Sequence, residues 1–142
     1  MADVTVKHLD EFEAIYHGGL RRVRAGLGVT AFGMQVIELP PNADMYPEHD
    51  HSHDEQEEVY LALSGRGTLR VGDEEFALEP GVFARVGALE RRKIVTGDES
   101  VRILAIGATP GSIYQIPDFT EEGATPPALA KEHEPAKDPE VV

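Results

Sequence analysis

Between Gly33 and Ala108 the chain is a succession of short runs of strand-forming residues, each closed off by turn residues a few positions later. FGMQVIEL, residues 32–39, is stopped by Pro40-Pro41-Asn42. Val59 to Leu63, Thr68 to Val71, Phe76 to Leu78, Val82 to Val86, Arg92 to Val95 and Val101 to Ile106 follow, with Gly72-Asp73, Pro80-Gly81 and Gly97-Asp98 between them. Short, regularly spaced strands with almost no helical period predict an all-β antiparallel sandwich or barrel.

The two ends of the chain read differently from this middle. Alternation at Val4 and Val6 predicts an edge strand, and Asp10-Glu-Phe-Glu13 has the form of a capping box ahead of Phe12, Ile15 and Tyr16 at helical spacing. A short N-terminal helix is therefore expected, ended by Gly18-Gly19. Residues 118–142 carry seven acids against two lysines among Pro and Ala, too little apolar surface to offset the entropy of ordering, and predict a mobile acidic tail. Tyr114 and Ile116 are expected to dock before it. With 142 residues and 41% apolar composition the chain reads as one domain over 1–117, its barrel from about 34 to 107, with the tail as 118–142.

Charge and composition exclude several classes. A net charge of −13, with only short basic clusters at Arg21, Arg22 and Arg24 and at Arg91, Arg92 and Lys93, argues against nucleic acid as a partner. No apolar stretch approaches the ~20 residues of a membrane span, so no membrane partner is expected. The absence of cysteine rules out disulfides, thiolate metal sites and cysteine nucleophiles, and places the protein by expectation in the cytoplasm.

The densest chemistry lies in HDHSHDEQEEVYLALSG, from His49 to Gly65. Imidazoles and carboxylates together are the usual donor set for a divalent first-row metal. Six acids between Glu48 and Glu58, with no Lys or Arg among them, repel one another unless a cation sits nearby. Residues two apart in a strand share a face, so His49, His51 and His53 all point one way, and Glu57 and Glu58 point to opposite sides. Glu57 shares its face with Val59, Leu61 and Leu63, suited to dry packing, and Glu58 shares its face with Tyr60, Ala62 and Ser64, suited to a pocket. Glu58 is the expected inward carboxylate, which requires a bulge or turn over residues 54–56.

His51-Ser-His53, Glu58 and Gly65, followed by Gly72, Pro80-Gly81 and Gly87, resemble the two motifs of the cupin superfamily. The resemblance runs from about Pro40 to Gly107 and implies a jelly-roll β-barrel, a homodimer, and a divalent metal (Fe, Mn, Ni or Zn) held by two histidines and a glutamate. Spacing to Gly65 selects His51 and His53, whereas Pro47-x-His49-x-His51 selects His49 and His51. The metal candidates are thus His49, His51, His53 and Glu58, with Glu57 and Glu90 as weaker alternatives. The second motif of the family normally adds another histidine, and here the stretch Gly87 to Lys93 has none. Counting forward puts Glu90 in that slot and counting back puts Arg91 there. A carboxylate would complete a four-ligand site, and a guanidinium would repel a dication and pair with Glu58. Arg91, Arg92 and Lys93 otherwise read as a charged strand edge, Arg70 and Arg85 as exposed, and Tyr60 and Phe83 as core or cavity wall. The resulting expectation is a small metal-binding cupin, an oxygenase- or isomerase-type enzyme acting on a small oxygenated molecule. The alternative is a non-catalytic, metal-free cupin that binds a small molecule; no catalytic residue is singled out.

Overall fold

The computed structural model describes residues 2–128. The seven strands expected between Gly33 and Ala108 form, preceded by two unexpected ones, with β1 at Ala14–Ile15, β2 at Leu20–Arg21, β3 at Gly33–Leu39, β4 at Glu57–Gly65 and β5 at Gly67–Val71. They continue with β6 at Glu74–Leu78, β7 at Phe83–Val86, β8 at Arg92–Val95 and β9 at Val101–Ala108. All pairings are antiparallel, in a six-stranded sheet ordered β1-β2-β3-β9-β4-β7 and a three-stranded sheet ordered β6-β5-β8. Consecutive strands β4 and β5 lie in different sheets, as a jelly roll requires. The turn between them depends on Gly65, whose φ is 74° and where a Cβ would fall 2.0 Å from the Ser100 carbonyl oxygen.

Strand alternation sorts the side chains as the sequence pattern dictates. Ile37, Leu39, Tyr60, Ala62, Ile103 and Ala105 from the larger sheet meet Leu69, Leu78 and Ile94 from the smaller one in a single core. The opposite face of β3 is covered at Val36 by Phe12 and Val23. Val59 and Leu61 are half-buried on the outer face of β4, where Leu63 is 47% and its neighbour Phe83 72% exposed. Phe83 is therefore not core or cavity wall, and the Val59, Leu61 and Leu63 face looks outward rather than into dry packing.

The N-terminal expectations are corrected. Val4 and Val6 are exposed and form no strand, and residues 10–17 hold no α-helix. A capping box is present, but His8 and Glu11 make it around a single 3-10 turn at Leu9–Glu11. Tyr16 and His17 adopt left-handed φ values of 53° and 54°, so the chain turns back as a hairpin and β1 pairs with β2. That hairpin buries Ile15 and Leu20, which a helix would have placed on different sides. The short helix is α1, Val23–Leu27, ended by Gly28 with φ 81°.

The first part of the acidic tail, 118–128, lies against this N-terminal segment. Buried Arg22 donates to the Ala124 carbonyl at 2.7 Å and pairs with Glu13, which accepts from the Gly123 N–H at 3.0 Å. The Tyr16 hydroxyl donates to the Pro127 carbonyl. Residues 129–142, the remainder of the expected mobile tail, lie outside the described residues. Among the described residues no helix is long and apolar enough to cross a membrane.

Candidate metal centre

The segment 47–56 brings the first motif into the interior. His49 forms an isolated bridge with Arg92 of β8, its N–H donating to the Arg92 carbonyl at 3.0 Å and its carbonyl accepting from the Arg92 N–H at 2.8 Å. The chain then turns: the Asp54 and Glu55 N–H groups both donate to the His51 carbonyl, and Glu55 takes a left-handed φ of 58°. This turn supplies the change of face required between His51 and Glu58. In β4, Glu58 points inward and Glu57 points outward, where it pairs with exposed Arg85.

His49, His51, Glu58 and Arg92 are all fully buried and converge on one carboxylate oxygen. Glu58 Oε1 lies 3.4 Å from His49 Nε2, 3.0 Å from His51 Nε2, 3.1 Å from Arg92 Nη1 and 2.8 Å from the Tyr60 hydroxyl. The Tyr46 hydroxyl stands 3.2 Å from that of Tyr60. Burial alone would raise the Glu58 pKa, but the close His49 and His51 imidazoles more than offset that and hold it well below the ordinary carboxylate range. Burial and the Glu58 charge push both Tyr46 and Tyr60 well above the usual phenol value, so each remains a protonated donor. Burial of His51 would lower its pKa, and the Glu58 and Asp54 carboxylates more than offset that, leaving it raised.

The outer nitrogens of both imidazoles are already engaged. His49 Nδ1 is 3.0 Å from the Pro47 carbonyl and His51 Nδ1 is 3.0 Å from Asp54 Oδ1. Carbonyl and carboxylate only accept, so each Nδ1 carries the proton, and a neutral ring then aims its Nε2 lone pair at Glu58. Acceptor would face acceptor unless a proton or a metal cation sits between them. His51 Nε2, although 3.0 Å from Glu58 Oε1, makes no aligned hydrogen bond, and Glu58 Oε2 is buried without one.

Donors about 2.0 to 2.2 Å from one metal ion lie about 3.0 Å apart at right angles and about 3.4 Å apart at a tetrahedral angle. The two His–Glu separations match these spacings, so His49, His51 and Glu58 fit a divalent ion held on one side by two imidazoles and a carboxylate. The Pro47 carbonyl and Asp54 then occupy the places from which metal-binding histidines are usually oriented.

The other predicted residues stand apart. His53 is 39% exposed at the rim, stacked on His51 at 5.7 Å, and groups with His51 and Asp54 instead. Glu90 and Arg91 are both exposed, and Arg91 reaches Asp50 and the Glu48 carbonyl. The slot belongs to Arg92, one residue past the further of the two counts, and neither Glu90 nor Arg91 faces the cluster. The reading of Arg92 as a charged strand edge is overturned as well. Alternation in β8 could have found it, because Arg92 is two residues before fully buried Ile94 and must share its face. Tyr46 carried no comparable signal, sitting in an irregular segment where periodicity gives no direction.

A β-fold of two antiparallel sheets around an interior His-His-Glu group defines the class, and the comparisons agree with it. The model of the cupin domain family matches residues 35–107, about half of the chain. The chain belongs to the cupin family. No curated protein matches it. Among solved structures it is similar to a cupin protein from Bacteroides fragilis, at 21% identity and a TM-score of 0.65 over 88% of this chain and 98% of that one. It is also similar to a sugar phosphate isomerase of the cupin superfamily from Silicibacter pomeroyi, at 24% identity and a TM-score of 0.61 over 75% and 77% of the two chains. The polyketide cyclase RemF from Streptomyces resistomycificus gives 20% identity and a TM-score of 0.60 over 79% and 85%. At these identities the likeness speaks for the fold alone.

Proposed function

We propose that this protein is a metal-binding cupin enzyme, of oxygenase or isomerase type, that acts on a small oxygenated molecule with His49, His51 and Glu58 as metal ligands. The observation that carries this reading is the pair of Nδ1 contacts, to Pro47 and Asp54, which leaves both Nε2 atoms aimed at Glu58 Oε1. When bound, a divalent metal supplies Lewis acidity toward a substrate oxygen. The protein's own groups set the stage for it. Tyr60 fixes the Glu58 carboxylate, Asp54 and the Pro47 carbonyl fix the imidazole planes, and Arg92 is anchored by its donation to the Gly87 carbonyl at 2.8 Å. Comparing single variants tests the assignment: His51→Ala should abolish binding of Zn²⁺ or Mn²⁺ in a calorimetric titration, and His53→Ala should leave it intact. Equal loss in both would move the ligand set to the rim.

A specific observation favours the second reading, a metal-free small-molecule-binding cupin. Arg92 already neutralises Glu58 from 3.1 Å, which is the place where the family's second motif normally adds a ligand. Under either reading we propose a cytoplasmic homodimer, supported by the exposed apolar side chains Leu63 and Phe83 on the outer face of the larger sheet. Light scattering at micromolar concentration checks it, and a monomer there would overturn it.

A further inference from the structure

The four side chains of the cluster are sealed from solvent and none of them lines the cavity of about 1010 Å³ that lies on the far side of Tyr46 and Pro47. Tyr46 and Pro47 belong to both. They line the cavity, while the Tyr46 ring stands 5.6 Å from that of His49 and the Pro47 carbonyl holds His49 Nδ1. The floor is Leu20, Ile37, Leu39 and Val101, core side chains on β2, β3 and β9 of the larger sheet. Tyr16 and Phe119 add aromatic walls, Tyr16 being fixed by its bond to the Pro127 carbonyl and by the left-handed turn it opens.

The polar groups of this cavity are few, and its one described arginine already faces a carboxylate. Arg102 is the one arginine among its described lining residues, none of which is lysine, and its Nε donates to Glu38 Oε1 at 2.5 Å. A phosphate or carboxylate needs a free guanidinium or several uncommitted donors, and a sugar needs hydrogen-bond partners around its whole rim. This cavity offers the hydroxyls of Ser64 and Ser100 and the His17 ring beside an ion pair in which Glu38 already balances the Arg102 charge. Its volume is at the top of the ~300 to 1,000 Å³ range of small-molecule sites, large for so apolar a wall unless an apolar molecule fills it.

We infer that this cavity is a ligand-binding chamber beside the metal site rather than part of it, and that it takes an uncharged, mainly apolar molecule rather than a sugar phosphate. The class of molecule bound does not rest on the metal-enzyme reading above. Tyr46 is the shared wall through which the chamber meets the His49 and Glu58 side of the cluster.

The test uses the untagged full-length protein and N-phenyl-1-naphthylamine, a neutral aromatic whose fluorescence rises in apolar surroundings. Saturable binding at one site per chain is expected, with no competition from glucose 6-phosphate. Met45 is 49% exposed on the cavity wall, so Met45→Trp should narrow the chamber without disturbing the core and weaken the probe by about tenfold or more. Phe83→Ser, on the outer face, should leave it unchanged. If thermal melting shows that Met45→Trp is unfolded, Ser64→Trp on β4 gives the same reading from another wall. Probe binding that follows Phe83→Ser and ignores the chamber variants, or displacement by glucose 6-phosphate, would overturn the inference. Metal content measured on the same samples separates the two proposals: metal-free protein that binds the probe removes the metal centre and keeps the chamber, and metal-loaded protein that does not bind it does the reverse.

Discussion

Three arginines are buried among the described residues, Arg22, Arg24 and Arg92, and the carboxylates met by the first and the last are in opposite situations. Arg22, 1% exposed, joins the chain ends: its carboxylate partner Glu13 is 35% exposed and accepts the Gly123 N–H on both oxygens. Arg92 meets Glu58 where nothing is exposed, and there Oε2 has no partner although Oε1 is crowded by two imidazoles, a guanidinium and a phenol. Both guanidiniums leave Nε unpartnered, so an orphaned nitrogen does not distinguish them. The carboxylate does. A pair that only fastens two segments satisfies its acid from the backbone and keeps it near water, whereas Glu58 is desolvated, lopsided and surrounded by groups with capacity to spare. Such an arrangement is expensive as a fastening and suits a ligand.

Breaking the buried pair should produce the largest effect. Glu58→Ala strands Arg92 in the interior and should cost about 3 to 5 kcal/mol by chemical denaturation, with metal binding lost as well. A cost within the range of ordinary surface changes would mean that Arg92 does not depend on Glu58. Arg92→Met comes next and sharpens the same point from the other side. Removing the guanidinium takes a positive charge from beside the proposed metal, so Zn²⁺ affinity in a competition titration should rise by about tenfold or more. Unchanged or weaker affinity would show that Arg92 supports the site rather than opposing a cation.

The outer pair should respond more gently. Glu13→Gln should speed amide exchange at Gly123 and Ala124 while leaving metal binding alone, and unchanged exchange there would remove the fastening role. Its pH dependence has a definite sign. The Gly123 N–H, then Arg22, lower the folded-state pKa of Glu13, so its contribution is fully present above the ordinary glutamate value of 4.5 and is lost as pH falls through the lower folded value. The protection factors of these amides, which take out the intrinsic slowing of exchange in acid, should therefore fall on acidification in the native protein and change less in Glu13→Gln.

The same contrast explains what the sequence could reveal. Strands β3 to β9 were legible because alternation and turn residues are local, and Glu58 was separable from Glu57 by the residues two apart from each. Arg92 was obscured because the slot was counted from glycine turns, whose lengths vary, when the face shared with Ile94 was the better ruler. The hairpin at Tyr16 and His17 was missed for a different reason. Helical spacing of Phe12, Ile15 and Tyr16 is a local signal, and pairing of Leu20 with Ile37 in the sheet overrides it from a distance. Tyr46 and the fastening at Arg22 depend on segments that meet only in the folded chain, and no spacing rule announces them.

The most direct measurement is elemental analysis of the untagged protein purified without added metal or chelator, followed by a melt with and without Mn²⁺, Fe²⁺, Ni²⁺ and Zn²⁺. The convergence of His49, His51 and Glu58 predicts about one divalent ion per chain and a rise in melting temperature with at least one of these metals. Protein that contains no metal and melts at the same temperature with all four would contradict the metal centre and leave Arg92 and Glu58 as the closed pair of a metal-free pocket.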